Sequence, residues 1–454
     1  MSRLASSTRR LLDTLTHRGF VHDITAPDHL NAALQSRPHA VYLGIDPTAP
    51  ALHVGHLLPL MCLLHFHIRG HRIIPLIGGA TGLIGDPSGR ATEREPAEEQ
   101  TTLRNTNSLV GHVQTFFTRA MEYAKERVSL HHDRFAPVEV MNNVDWHRGM
   151  TMMHFLRTVG HQSRVNTMLN KESVRTRLES KHGISFTEFT YQLLQAYDFY
   201  HLNTEFGCTV QLGGSDQWGN ILGGISLINR MKGIETSSDA APAAFGLTTP
   251  LLTTASGAKF GKSAGNAVWM DPQLTSVFNF YQYFVKCTDA DVEKYMKLLT
   301  LMSIEDIDAT MEKHRASPDL RIAQRRLASE LTELVHLKSG RLRAETMTKI
   351  MFESDLGNVK ASDVLAAFAD NGSVHYLASD ELLTVPVTKL AAKYGLAPST
   401  SAARTLVQSR GLYLNNQPVS EVSATIKSEN LIDNEMVVLK AGKDKLVVLT
   451  IIRS

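Results

Sequence analysis

Cysteine is scarce. The three in this 454-residue chain, Cys62, Cys208 and Cys287, stand too far apart to frame a disulfide scaffold or a zinc cluster, which points to a reducing compartment. Charge imbalance is missing too. The 47 Lys and Arg face 45 Asp and Glu, so the overall charge of +2 by itself selects no polyanionic partner. The basic surplus is local: Lys389 to Ser454 holds nine basic and five acidic residues, leaving 38 against 40 elsewhere, the pattern of a solvated basic face. Long apolar runs are also lacking. The longest, Leu57 to Ile68, is interrupted by His65 and His67 and falls short of the roughly 20 residues a bilayer requires.

What is present is the composition of an ordinary globular protein, 43% hydrophobic and 20% charged. The length exceeds the size at which one core stops growing, so two or three domains are expected. The start, MSRLASSTRRLL, carries Arg3, Arg9 and Arg10 and no acid before Asp13. Both an organellar leader over residues 1–10 and a frayed basic terminus fit that composition.

Alternation in Val41-Tyr-Leu-Gly-Ile-Asp46 predicts a strand, with Tyr42, Gly44 and Asp46 on one face. An apolar helical pattern follows over His56–Ile68, tolerating Pro59 only in its first turn, and then a second strand, Arg72–Ile77. Strand, helix and strand with short loops indicate an α/β domain with a parallel sheet covered by helices. Helical patterns fill 103–200 and again 277–368. Beyond Pro386, a capped helix over Ser399–Gly411 and the short strands LYLNNQPV, MVVLK and LVVLTI indicate a small α+β module.

Four stretches carry chemistry. His53-Val-Gly-His56 lies where a strand's carboxyl end hands over to a helix, the usual ligand crevice of open parallel sheets. Gly55 leaves the backbone approachable, and the helix N-terminus favours an anion. A metal site ranks below phosphate there, because no third ligand stands at recognisable spacing; two structurally satisfied imidazoles are the plain alternative. Gly257-Ala-Lys-Phe-Gly-Lys-Ser263 is one residue too short for a P-loop, which leaves a glycine-flanked loop with two ammonium groups suited to a charged leaving group, or a solvated basic turn. Tyr191, Gln195 and Asp198, at i, i+4 and i+7, form a polar stripe on an apolar helix, where a bare carboxylate needs a partner. The fourth, LGGSDQWGN from Leu212, combines glycines with a carboxylate and amides that can meet a ribose or an adenine edge.

Taken in order, YLGIDPTAPALHVGH, GGATGLIGDPSGR, NNVDWHRG, ISFTEFTYQLLQAYDF, GGSDQWGN and KFGKS resemble the motifs of the bacterial-type tyrosyl-tRNA synthetases, class I enzymes, from about Leu11 to the C-terminus. The resemblance implies a Rossmann-like doubly wound catalytic domain over 11–272, an α-helical anticodon-binding domain over 273–375 and an S4-like RNA-binding domain over 385–454. It implies ATP-dependent ligation of tyrosine to tRNA(Tyr) through a tyrosyl-adenylate, with Mg²⁺ accompanying ATP and no structural metal. His53, His56 and Thr48 would stabilise the phosphates, and Lys259, Lys262, Arg90 and Arg94 would hold the leaving pyrophosphate. Asp86, Tyr191 and Gln195 would surround the tyrosine ammonium, with Gln211 in the same set. Tyr42 and Asp198 would exchange hydrogen bonds with the phenol. Asp46, Gly55, Gly214, Asp216 and Gln217 match positions that touch the nucleotide.

KFGKS replaces the class pattern KMSKS, a variant that bacterial-type tyrosyl enzymes share. The stretches Lys125–Val140 and Lys232–Ala243 look longer than in typical bacterial relatives and, with the Arg/Ser-rich start, suggest a mitochondrial enzyme, fungal in type. A homodimer is expected, with Phe186 and Met150–Met153 as interface candidates or else ordinary core. The alternatives are a synthetase-fold protein that binds structured group I introns to assist splicing and, further off, a P-loop kinase.

Overall fold

The computed structural model describes residues 10–88, 98–128, 135–179, 183–234, 242–255, 257, 260–263, 266–354, 356, 359–369, 372–442 and 445–452, with backbone alone at 262, 263 and 266. The chain divides into two compact units. One runs to Thr275 and resumes over Tyr283–Val335; the other joins Ser276–Gln282 to the chain from His336 onward. The helical stretch expected over 273–375 is shared between them.

Six strands of the first unit, β1 (Asp23–Ile24), β2 (Ala40–Ile45), β3 (Arg72–Ile77), β4 (Met141–Asn142), β5 (Cys208–Gly214) and β6 (Phe245–Thr249), form a sheet in the order β1-β6-β5-β2-β3-β4. Neighbours from β6 to β4 pair parallel, and β1 alone is antiparallel, at the edge. Parallel pairing requires crossovers. The first leaves β2 through a 3₁₀ turn at Val54–His56, enters the helix Leu57–His67 and returns along β3. All but one residue of that helix is buried, which explains why its sequence is apolar on every side. Pro59 sits in its first turn, where no amide donor is needed.

The helix Phe186–Phe206 is capped by Ser185, whose hydroxyl accepts from the Glu188 amide at 3.3 Å, and ends on Gly207 at φ 65°. Its Phe199 and Leu202 pack with Ala40, Tyr42, Ile74, Leu76 and Cys208 in one apolar cluster against the sheet. From β2 the chain steps outward through β3 to β4, then returns to the far side of β2 as β5. The carboxyl ends of β2 and β5 therefore flank a topological switch point, where open sheets bind ligands. Tyr42 and Gln211 are register partners across that pair, so their side chains share one face.

The second unit holds a five-stranded sheet in the order Gln417–Pro418, Leu412–Leu414, Met436–Ala441, Lys445–Ile451, Val374–Leu377. The three strand patterns expected beyond Pro386 all appear in it. Asn415 and Asn416, both at positive φ (47° and 65°), close the Leu412–Pro418 hairpin. Ser399 caps the helix Thr400–Gln408 by accepting from the Ala402 amide at 3.1 Å. The unit has its own apolar core around Leu390, Leu412, Val437, Leu439 and Leu449.

Among the buried histidines of the first unit are His39, His65, His67 and His71. Burial pushes each imidazole below its usual range; His71 falls to about 4, helped by His39 and Arg69, and His65 is further disfavoured by Arg18 and Arg69. The unfolded chain takes up these protons near pH 6.5 and the folded chain only at lower pH, so stability is full above pH 6.5 and is lost as pH falls toward 4. Urea midpoints measured between pH 7.5 and 4.5 should fall accordingly, His71 alone contributing about 1 kcal/mol per pH unit within the window. A midpoint that stays flat to pH 4.5 would contradict this account.

Candidate active site

A cavity of about 290 Å³ opens at the switch point. Its lining brings together Tyr42, Asp46, Thr48, His56, Asp86, Tyr191, Gln195, Asp198, Gln211, Gly214, Asp216 and Gln217, residues scattered over 176 positions of the chain. Of the paired imidazoles, His56 lines this space together with the tyrosine-recognition set expected from the sequence, and His53 does not.

At its floor Asp198 is only 2% exposed and accepts three N–H bonds, from Asn143 Nδ2 at 3.0 Å to Oδ2 and from Trp146 Nε1 and His147 Nε2, each at 2.7 Å, to Oδ1. Tyr42, 1% exposed, is held by Phe199 with ring centroids 5.3 Å apart. Burial, then the nearby Asp198 charge, pushes its phenol well above the usual range, so the group stays protonated and can donate. Tyr42 Oη and Gln211 Oε1 are buried without a hydrogen-bond partner among the described residues. Such buried polar atoms ask for a ligand or water.

The walls interlock. Gln217 Nε2 donates to Asp86 Oδ2 at 2.7 Å, and Gln217 Oε1 accepts from Gln195 Nε2 at 3.2 Å. Tyr191 Oη donates to Asp46 Oδ2 at 3.1 Å, while Thr81 Oγ1 donates to Asp46 Oδ1 at 3.0 Å. Sequence reasoning assigned Asp46 and Gln217 to the nucleotide and Asp86, Tyr191 and Gln195 to the tyrosine ammonium. In the fold the two sets interleave: one network joins Tyr191 to Asp46, and another joins Gln195 and Asp86 through Gln217. Four aspartates on the lining, Asp46, Asp86, Asp198 and Asp216, give this end of the cavity an acidic character that suits an ammonium.

At the mouth, the rings of His53 and His56 lie side by side with centroids 4.0 Å apart. The His53 amide donates to His56 Nδ1 at 3.1 Å and the Gly55 amide to His53 Nδ1 at 3.1 Å. In the neutral form these amide contacts favour a proton on Nε2 of each ring, with His56 Nδ1 also 3.3 Å from the His53 carbonyl. Burial, with repulsion from His53, holds His56 down to about 3. His56 is thus a neutral donor and not a cation. A Cβ on Gly55 would lie 2.8 Å from His53 Cε1, so a larger residue there would push the folded-back imidazole aside, a steric reason for glycine beside the ligand approach read from sequence.

The lysine loop reaches the same place through its backbone. The Gly261 carbonyl accepts from the Val268 amide at 3.0 Å, the Val268 carbonyl accepts from Val54 at 2.9 Å, and a Cβ on Gly261 would meet the Gly55 nitrogen at 3.1 Å. Phe260 anchors the loop against Tyr295, ring centroids 4.7 Å apart, and the Gly261 amide donates to Tyr283 Oη at 3.0 Å. Lys259, Arg90 and Arg94 lie outside the described residues, as does the 1–9 start, and Lys262 is described by its backbone alone, in the short strand Lys262–Ser263.

Sequence reasoning gave no role to Asn143, Trp146, His147, Thr81 or Lys171. The first three were in view inside NNVDWHRG, whose polar and aromatic residues follow no apolar period. Lys171 lines an adjoining cavity of about 840 Å³ that shares Ser88 and Asp216 with the first and also carries Arg164, Trp218 and Arg230. Burial lowers its ammonium to about 8, against the pull of Asp86.

Comparison with known proteins gives a consistent result. Residues 34–353 match the family described as tRNA synthetases class I (W and Y), and residues 367–449 match the tyrosine--tRNA ligase SYY-like C-terminal domain. The chain is 40% identical over 445 residues to tyrosine--tRNA ligase 1 of Bacillus subtilis, covering 97% of this chain and 99% of that protein. It is 39% identical over 452 residues to the mitochondrial tyrosine--tRNA ligase of Saccharomyces cerevisiae, covering 98% and 89%. Among solved structures, a C-terminally truncated Aspergillus nidulans mitochondrial tyrosyl-tRNA synthetase superposes with a TM-score of 0.69 at 33% identity, over 76% of this chain and 94% of that one.

With His56 held neutral, no rate change between pH 5.5 and 8 should trace to it, and if it serves the phosphate-stabilising role its motif implies, His56→Ala should slow the chemical step by about a hundredfold, the cost of one donor to developing charge. Single-turnover rates of the wild type and variant across that pH range decide it. A titration near pH 6.5 that disappears in His56→Ala would be incompatible with a neutral role.

Proposed function

The chain belongs to the class I tyrosyl-tRNA synthetases and is a tyrosine--tRNA ligase, and on that premise we propose how its own residues divide the work. The phenol of tyrosine donates to Asp198 and accepts from Tyr42. What carries this reading is the pairing of a buried, unpartnered Tyr42 hydroxyl with a carboxylate fixed by three N–H donors on the same cavity. Phenylalanine would leave both groups unsatisfied, a rejection mechanism for which tyrosyl-tRNA synthetases are the standing illustration. Asp86, Tyr191 and Gln195 take the ammonium, supported by the acidic lining, with Gln211 beside them.

The substrate carboxylate then faces the mouth, where one of its oxygens attacks the α-phosphorus of ATP, supplied as its magnesium complex, and the bond to the β-phosphate breaks. No protein nucleophile is required. Positioning and charge stabilisation do the chemistry. Thr48 and the Nε2–H groups of His53 and His56 donate to the phosphates. Lys259, Lys262, Arg90 and Arg94 receive pyrophosphate, a role resting on the resemblance of their motifs. Asp46, Gly55, Gly214, Asp216 and Gln217 hold the nucleoside. A terminal ribose hydroxyl of tRNA finally displaces AMP, and the larger cavity with Arg164, Lys171 and Arg230 supports an approach route for a polyanion.

Of the domains, 11–272 performs activation, 273–375 reads the anticodon and 385–454 grips RNA, the last supported by the basic surplus after Lys389. The reading extends to a homodimer. Met152, Met153, Leu156 and Phe186 are exposed, Phe186 by 76%, an apolar group that a second copy would cover. The mitochondrial matrix is the compartment proposed, supported by the yeast relative; import into isolated mitochondria tests it. A role in intron splicing in place of ligation is not favoured, because the similar proteins are ligases.

Purified protein should catalyse ATP–pyrophosphate exchange with tyrosine and not with phenylalanine, and Asp198→Ala should raise the tyrosine KM by roughly a hundredfold, collapsing that preference while the ATP KM holds. Undiminished preference in the variant would remove Asp198 from phenol recognition. In sedimentation velocity at micromolar concentration the wild type should run as a dimer and Phe186→Asp as a monomer; a monomeric wild type overturns the dimer.

A further inference from the structure

Asp198 is held by contacts that are unequal on its two oxygens. Oδ1 accepts from Trp146 Nε1 and His147 Nε2, both at 2.7 Å, whereas Oδ2 accepts from Asn143 Nδ2 alone, at 3.0 Å. A carboxylate oxygen offers about two lone pairs, so Oδ1 is filled and Oδ2 keeps one free. We infer that His147 is a specificity-positioning residue, whose Nε2–H fills the second site on Asp198 Oδ1 and so leaves Oδ2 as the single acceptor for the substrate phenol. The inference deepens the proposed role of Asp198 and rests on it.

The placement of His147 fits a positioning part. Its side chain is 9% exposed and does not line the tyrosine cavity, so it acts through Asp198 and not on the ligand. Its neighbours hold the ring in place: Tyr197 lies 5.7 Å away between centroids, and Trp146 stacks on His201 at 4.5 Å. Asn143 is fixed independently, its amide donating also to Thr81 Oγ1 at 3.0 Å while its Oδ1 accepts from the Ala80 amide at 2.8 Å. Without His147, a lone pair on Oδ1 opens and the carboxylate can turn, so the free acceptor no longer has one fixed direction. A site loosened in this way loses selection before it loses chemistry.

The test uses the full-length protein in ATP–pyrophosphate exchange, with tyrosine KM, ATP KM, kcat and the tyrosine-to-phenylalanine preference measured for three variants. His147→Phe keeps a ring but no donor, His147→Asn stays polar but falls short of Asp198, and His147→Gln keeps a donor of similar reach. The first two should raise the tyrosine KM roughly tenfold and narrow the preference, with ATP KM and kcat little changed, while His147→Gln should stay within about threefold of wild type. Wild-type tyrosine KM and preference in both His147→Phe and His147→Asn overturn the inference, as does a His147→Gln protein no better than His147→Phe. Asp198→Ala in the same assay separates the two levels. If it too preserves the preference, the reading of Asp198 has failed; if it abolishes the preference while the His147 variants do not, only the positioning role has.

Discussion

The structure depends on satisfying one buried carboxylate. Asp198 sits 2% exposed on the helix Phe186–Phe206, and an unpaired charge there would be costly. Its donors all come from the few residues following β4: Asn143, Trp146 and His147. Satisfying the charge therefore ties the helix Phe186–Phe206 to the end of the sheet's outer parallel strand. The same bonds orient the group proposed to meet the substrate phenol. Removing Asp198 would loosen both the tie and the recognition, which is why variants of its donors are more informative than variants of Asp198 itself.

The site combines acidic and neutral groups. Four aspartates line the cavity, while the imidazole of His56 on the same lining is kept uncharged by burial and by its neighbour. A neutral imidazole costs little to bury and gives directed hydrogen bonds without attracting competing anions before ATP arrives. The cationic work falls to the lysine and arginine loops. On the reading proposed above, charge stabilisation as pyrophosphate develops would then be favoured over tight binding of ATP itself.

Much of this was legible in the sequence. The i, i+4, i+7 stripe of Tyr191, Gln195 and Asp198 was visible because helical period places such residues on one face, and the Val41–Asp46 alternation placed Tyr42 and Asp46 together. The crevice beside His53 followed from strand-to-helix handover. What could not be read was pairing between distant segments. The donors to Asp198 stand about 50 residues before it, and neither a period nor a spacing links them. The merging of the nucleotide and tyrosine sets through Gln217 to Asp86 likewise arises from a contact 131 residues long. Nor could the sequence show that Gly55 packs against an imidazole two residues away, which a Cβ would displace.

Placing the recognition groups on strands and a helix, not on loops, sets how precisely selection can work. Tyr42 faces the cavity because β2 is locked in register with β3 and β5, Tyr42 lying opposite Ile74 and Gln211. A slip of one residue in that central strand would turn Tyr42 to the other face and put an apolar neighbour in its place. The apolar residues packed about the strand, Ala40, Ile74, Leu76, Phe199 and Leu202, therefore bear on the proposed selection although none of them offers a polar side-chain atom. On that reading, selection of a single hydroxyl group is also a property of the core. The polar residues would choose tyrosine, and the packing behind them decides that they are in place to do so.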